Sequence, residues 1–219
     1  MSDREILKRN FSEEKTKKDY SRISSIYNLW SRLFESKTAE RVFELAQIKN
    51  GETILEAAVG TGVLFEKIAL VNKSGFTEGI DLSPEMLSHA KKRIKNFPQS
   101  SYRLQAGSVY NLPYDSGRFD LIVNNYMFDL LPEEDFPLIL GEFSRVLKKG
   151  GRIVISTMTF GLKWYNKPWV KIAEWFPSLM TECRPIHLGD YISKAGFNIE
   201  TAEQISQNSF PSEIIKAIK

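Results

Sequence analysis

The stretch Thr53-Ile54-Leu55-Glu56-Ala57-Ala58-Val59-Gly60-Thr61-Gly62 constrains this chain more than any other. A short apolar run passes into small residues and glycines, and a helical pattern starts at Val63. That is how a buried parallel strand turns into a helix around a nucleotide-like ligand. Gly60 and Gly62 allow a tight turn and let backbone approach a ligand with no side chain in the way. The helix beyond points its unpaired N–H groups at whatever is bound. Taken alone, the motif is also compatible with a strand–turn–helix that binds nothing.

Two cofactor classes use such a turn. A dinucleotide fingerprint has a third glycine three residues after Gly62, where this chain has Phe65. Glu56 is also a poor neighbour for a doubly negative pyrophosphate. A carboxylate suits a cation, and S-adenosylmethionine carries an ammonium and a sulfonium. Phe76–Leu82 reads as a second strand with Asp81 near its tip, where a carboxylate can accept both ribose hydroxyls of an adenosine. Ser83 and Pro84 then open a helix as N-cap and first helical residue.

Glu56-x-Ala58-x-Gly60-x-Gly62, Gly79-Ile80-Asp81-Leu82-Ser83-Pro84-Glu85-Met86-Leu87, Leu112-Pro113-Tyr114 followed by Phe119-Asp120-Leu121-Ile122-Val123, and Arg145-Val146-Leu147-Lys148-Lys149-Gly150-Gly151 stand in one order and register. In these the chain resembles the class I S-adenosylmethionine-dependent methyltransferases, over roughly residues 54–155. Within that family it looks most like the ubiquinone/menaquinone-biosynthesis type and the soluble phospholipid N-methyltransferases. The resemblance implies a cofactor site of Glu56, Ala58, Gly60 and Gly62 on the first turn, Asp81, Leu82 and Met86 after the second strand, and Ser108, Val109 and Asn124 beyond. Two positions depart from the pattern. Ala58 replaces the usual glycine, which is tolerable if φ there is negative. Ser108 replaces the usual acid toward the adenine amino group and accepts without charge assistance.

At 219 residues the chain is expected to be one domain of ordinary size, or one domain with modest additions. Residues 1–19 are expected as a charged extension and 20–219 as the domain, with 20–50 as a helical cover and 158–186 as an acceptor lid. The net charge of +3 gives no case for a nucleic-acid partner. The single cysteine, Cys183, cannot form an internal disulfide, which fits a reducing compartment such as the cytoplasm. No run is long and apolar enough to span a membrane, and the polar N-terminus is no secretory signal.

Along the chain, Tyr20, Ile23, Tyr27, Trp30 and Phe34 recur three and four apart, an aromatic stripe that is core or, as the resemblance implies for Tyr20 and Tyr27, part of an acceptor pocket. Ser101–Ala106, Phe119–Asn124 and Arg152–Thr157 read as strands, Pro132–Leu147 as a helix. The exit Asn124-Asn125-Tyr126-Met127 lies at the switch point of a doubly wound sheet. It lacks the two prolines that nucleobase amino-methyltransferases carry there. Residues 158–186 concentrate Phe160, Trp164, Tyr165, Trp169, Trp175 and Phe176, which must cover either core or pocket. Lys163, Lys167 and Lys171 at four-residue intervals form a solvated face or a membrane-surface one. Leu188–Ala195 reads as the last helix, followed by strands at Asn198–Ile205 and Ser212–Ile218.

The expected fold is α/β: a seven-stranded, Rossmann-like, doubly wound sheet with an antiparallel C-terminal strand, a helical N-terminal cover and an aromatic insertion after strand five. The expected function is methyl transfer from S-adenosylmethionine to a small or lipid-like acceptor, with Tyr20, Tyr27, Asn125, Trp164 and Trp169 against it. Peripheral membrane contact is compatible with such an acceptor, and the oligomeric state is open. His187, Tyr126 and Tyr27 are the candidates for a base; displacement at an activated methyl needs no triad and no metal. The alternatives are a cofactor-binding protein of the same fold that does not transfer, and a dehydrogenase, which Phe65 disfavours.

Overall fold

The structure is a computed structural model describing residues 30–98, 101–161, 163–175 and 183–219. The expected extension and Tyr20, Tyr27 and Phe176 lie outside the described residues. Seven strands form one sheet: β1 Thr53–Ala57, β2 Phe76–Asp81, β3 Tyr102–Ala106, β4 Phe119–Asn125, β5 Leu147–Met158, β6 Asn198–Gln207 and β7 Phe210–Ile218. Their order is β3-β2-β1-β4-β5-β7-β6, with β7 antiparallel to both of its neighbours. The chain reverses direction of travel between β1 and β4, which pair in parallel through Ile54↔Leu121 and Ala57↔Asn124. Their carboxyl ends therefore open the crevice in which such sheets bind ligands.

Alternation along each strand sorts the core into two faces. Ile54, Leu121, Val123, Val154 and Ile214 meet helices α1 (Ser36–Ala46) and α2 (Val63–Val71) through Val42, Ala46, Leu64 and Ile68. On the other face Leu55, Ile122, Ile153, Ile155 and Ile215 meet α4 (Phe136–Val146) and α6 (Gly189–Lys194). α4 presents Phe136, Ile139, Leu140, Phe143 and Val146 as one buried helical stripe. Burial of each large side chain contributes about 1.5–3 kcal/mol. α4 starts at Phe136 rather than Pro132, because Glu133–Asp135 wind first as a 3₁₀ turn.

α3 (Pro84–Arg93) is started as its sequence predicts: the Ser83 hydroxyl accepts the Met86 N–H at 3.2 Å, with Pro84 in the first turn. It lies close over the first turn, since a Cβ on Gly62 would stand 2.8 Å from that of Ala90. The fully buried Phe65 ring makes the matching demand on β2: a Cβ on Gly79 would meet it at 2.8 Å. Bulk at Phe65 and its absence at Gly79 are one packing decision. Among the described residues no helix is long and apolar enough to cross a membrane.

Candidate functional site

At the carboxyl edge the chain leaves β1 through Ala58 at φ 58°, Gly60 at φ 54° and Gly62 at φ 79°. The negative φ under which alanine would be tolerable at position 58 is thus not found. The left-handed turn that glycine would enter without penalty is imposed on an alanine, at a cost of about 1 kcal/mol. Long-range hydrogen bonds hold the turn in this shape. The Val59 N–H donates to the Ile80 carbonyl at 3.0 Å, and the Gly60 N–H donates to Asp81 Oδ2 at 2.7 Å. Tyr126, at the exit of β4, is left-handed too, at φ 50°. Both strands flanking the crevice therefore end in a strained residue, as ligand sites commonly do.

Three polar side chains converge around this turn. Glu56, on β1, is buried, and its Oε2 accepts no hydrogen bond among the described residues. Burial, reinforced by the nearby charge of Asp81, pushes its carboxyl well above the usual range. Asn124, on β4, is fully buried; its Nδ2 donates to the Ala57 carbonyl at 2.8 Å while its Oδ1 accepts no bond among the described residues. Asp81 Oδ1 accepts the Ser83 N–H at 2.9 Å. Burial raises the Asp81 carboxyl against the opposing pull of the Ser83, Gly60 and Leu82 N–H groups. A buried polar atom left without a partner costs free energy. Two such atoms beside one turn, with two carboxylates and no cation paired to either among the described residues, suit a cationic ligand. They fit the ammonium and sulfonium of S-adenosylmethionine, and the orientation of Asp81 by backbone N–H groups suits a pair of hydroxyls.

The other expected cofactor residues lie around the same edge. Leu82 and Met86 follow Asp81, and Met86 is buried beneath the start of α3. Ser108 and Val109 are half-buried beyond β3, where Ser108 Oγ accepts the Tyr110 N–H at 3.3 Å.

Of the expected acceptor residues, Asn125, Trp164 and Trp169 lie among the described residues, each in its own surroundings. The Asn125 side chain is bonded to the Ser156 hydroxyl. Trp164 is 79% exposed. Trp169 packs edge-on against Trp30, Phe34 and Phe210, with its Nε1 donating to Ser209 Oγ at 2.9 Å. Its ring belongs to a core cluster at the end of the sheet. Of the candidate bases, Tyr126 is buried with its hydroxyl bonded to Thr38 Oγ1 at 2.9 Å and to Ser212 Oγ, facing α1 and β7 rather than the crevice. His187 is exposed and stacks on Phe160 with centroids 4.7 Å apart.

Sequence reasoning missed Asp129. It sits in a 3₁₀ turn after β4, fully buried, with Oδ2 accepting the Met158 N–H at 3.3 Å. Burial pushes its carboxyl up to about 6, against hydrogen bonds from backbone and the Cys183 thiol and the charge of the fully buried Arg184. The signal was present: a lone acid inside the apolar run Tyr126–Leu131.

A family model described as a methyltransferase domain matches residues 48–210. The chain is 33% identical over 138 residues to a demethylmenaquinone methyltransferase from Lactococcus lactis subsp. lactis (strain IL1403), which covers 62% of this chain and 52% of the relative. It is 32% identical over 142 residues to a 2-phytyl-1,4-naphtoquinone methyltransferase from Nostoc punctiforme, covering 62% and 61%. The chain thus spans between about half and three-fifths of the length of these relatives. Among solved structures, the cyclase SpnF superposes with a TM-score of 0.76 at 16% identity, over 98% of both chains.

Proposed function

The chain belongs to the methyltransferase-domain family, and from that premise we propose that it transfers a methyl group from S-adenosylmethionine to a lipophilic, quinone-type acceptor. The observation that carries the cofactor is a pair of buried oxygens, Glu56 Oε2 and Asn124 Oδ1, unpartnered among the described residues beside the left-handed turn at Gly60 and Gly62. The acceptor class is taken from the names of the two relatives, a demethylmenaquinone methyltransferase and a 2-phytyl-1,4-naphtoquinone methyltransferase.

In this reading Glu56 and Asn124 bind the cationic amino-acid end and Asp81 the ribose hydroxyls. Gly60 and Gly62 admit the cofactor close to backbone. Leu82 and Met86 bound the adenine, with Ser108 and Val109 at its polar edge. When bound, S-adenosylmethionine supplies a methyl group on a positively charged sulfur, which a nucleophile displaces in line. The protein's part is then to hold the acceptor against that methyl and exclude water, an effect of position and dryness rather than of a reactive side chain. An acceptor with a prenyl tail resides in a bilayer, so the enzyme meets it at a membrane surface.

The test is incubation with methyl-labelled cofactor and either a reduced prenylated naphthoquinone or phosphatidylethanolamine vesicles, alongside thermal shifts with cofactor and with NADH. Label in the quinol and a shift with the cofactor alone are expected, and Asp81→Ala should abolish most of that shift. Label confined to the phospholipid would reassign the acceptor. Stabilisation by NADH and not by the sulfur cofactor would remove the methyltransferase reading. A second reading, binding without transfer, is favoured by one observation: a strained alanine at position 58 in the turn. It predicts the cofactor shift without label in any acceptor.

A further inference from the structure

The two most exposed large apolar side chains among the described residues are tryptophans on one short segment: Trp164 at 79% and Trp175 at 67%. The 3₁₀ turn Trp164–Asn166 runs directly into α5 (Lys167–Trp175). Along it Trp164, Pro168, Lys171 and Trp175 follow at spacings of four, three and four, which places them on one face of a helical segment. All four are exposed. The opposite face is committed to the core. Asn166 and Ala173 are buried, and Trp169 and Ile172 pack into the aromatic cluster with Trp30, Phe34 and Phe210. This segment therefore has two apolar faces, and among the described residues only one of them is packed.

The used face fixes where the other points. Asn166 Nδ2 donates to Ser206 Oγ at 3.0 Å and to the Ser209 carbonyl at 2.7 Å, and Trp169 Nε1 bonds Ser209 Oγ. These bonds anchor the segment to the turn between β6 and β7. That turn stands at the carboxyl end of β5, since Met158 pairs with Ser212. The exposed tryptophans thus lie at the same edge of the sheet as Glu56 and Asn124. Leu33, 44% exposed, is tied to this turn as well: its carbonyl accepts from Gln207 Nε2 and Asn208 Nδ2.

We propose that the face of Trp164, Pro168, Lys171 and Trp175 seats the protein on an anionic lipid surface, so that the carboxyl edge of the sheet meets the bilayer. The charge pattern selects this occupant. Residues 163–175 hold three lysines against one glutamate, and the exposed Lys171 lies between the two tryptophans, with exposed Lys163 beside the first. Indole rings settle at the headgroup level of a bilayer, and lysine stems lie along the apolar boundary with their ammonium groups at the phosphates. A protein-docking face would instead gather its aromatic anchors at a desolvated centre with charge at the rim. Here cation and indole alternate along a line, as on helices that lie in an interface.

The proposal gives the lipophilic-acceptor reading its membrane partner, yet its test does not depend on that reading. The protein is sedimented with phosphatidylcholine vesicles with and without phosphatidylglycerol, while tryptophan emission is followed with and without brominated lipid. Expected are partition onto the phosphatidylglycerol vesicles that weakens with salt, a blue shift, and quenching by bromine. Trp164→Ala and Trp175→Ala should each weaken partition several-fold, and together by roughly tenfold or more. Lys171→Glu should weaken it on the anionic vesicles. Because these side chains are exposed, all three variants should keep the wild-type melting temperature and its shift with S-adenosylmethionine. Equal partition of wild type and variants, or none by either, overturns the proposal. So does a wild-type dimer that the tryptophan variants dissociate, which would make the face a contact between copies. If vesicles bind as expected but no quinol takes label, the acceptor reading fails and the surface stands.

Discussion

Ala58 shows how much a single backbone angle carries. At φ 58° its Cβ crowds the following carbonyl, a penalty that glycine escapes. The conformation persists because Val59 and Gly60 are hydrogen-bonded to β2 on either side of the Ile80–Asp81 peptide. Glycine would lose more unfolded-state freedom on folding, but at a left-handed position the relief of strain is the larger effect. Ala58→Gly should therefore stabilise the unliganded protein by about 1 kcal/mol, read as a raised denaturation midpoint with an unchanged slope. A destabilised variant would mean that the alanine methyl packs well enough to outweigh its strain.

Among the elements, the segment 183–188 is joined to the exits of β4 and β5 by buried groups. The Arg184 N–H donates to the Asp129 carbonyl at 3.2 Å, the Arg184 guanidinium donates to the Leu131 carbonyl, and the Ile186 N–H donates to the Met158 carbonyl at 3.1 Å. The Asp129 carboxyl at the centre titrates at about 6 in the fold, above the value of about 4 for an unfolded chain. A raised carboxyl stabilises the fold fully below its unfolded value, and that stability is lost as pH rises through the folded one. The two-unit gap corresponds to about 3 kcal/mol lost between about pH 4 and 6. Asp129→Asn should remove this component, flattening the stability profile over that window and leaving the variant at least as stable as wild type at pH 7.5. A profile that keeps its slope in the variant would assign the titration to another carboxyl.

Across the whole molecule the two edges of the sheet are electrostatic opposites. At the amino edge Arg152 holds Glu52 with two bonds of 2.8 Å, and Lys148 meets Asp120 at 2.8 Å. Burial opposes ionisation there, but these cations and the Lys49 and Thr53 N–H groups outweigh it, so both carboxyls lie below their usual range. At the carboxyl edge Glu56 and Asp81 are raised. Among the described residues, one edge has its counter-charges built in and the other lacks them. Glu52→Gln should accordingly cost about 2 kcal/mol at neutral pH, a loss that shrinks as pH falls through the depressed value of Glu52, and should leave cofactor affinity unchanged. Glu56→Gln should do the reverse: stability held or raised at neutral pH, cofactor affinity sharply lowered. Since a cation favours ionised Glu56, wild-type affinity should rise with pH, and the variant should lose that dependence. Calorimetric titration at several pH values checks both. Undiminished affinity in Glu56→Gln at every pH would end the cation reading of this edge.

What the sequence determined by itself was everything that contiguous residues decide among themselves. The apolar runs became β1, β2, β4 and β5, Ser83 and Pro84 opened α3, and the glycine turn brought Glu56 and Asp81 to one edge. Such features need only local sterics, capping and periodicity. Long-range packing set where the large side chains went. Trp164 and Trp169 stand five residues apart with the same composition around them, yet one faces solvent and the other closes the core against Trp30, Phe34 and Phe210. Tyr126 lies at the switch point in sequence, but its hydroxyl is claimed by Thr38 and Ser212, each more than eighty residues away. Asp129 and Arg184 are likewise brought together from opposite ends of α4 and β5. Periodicity records that a side chain will be buried. Which partner buries it is settled by which distant strands and helices the sheet brings alongside.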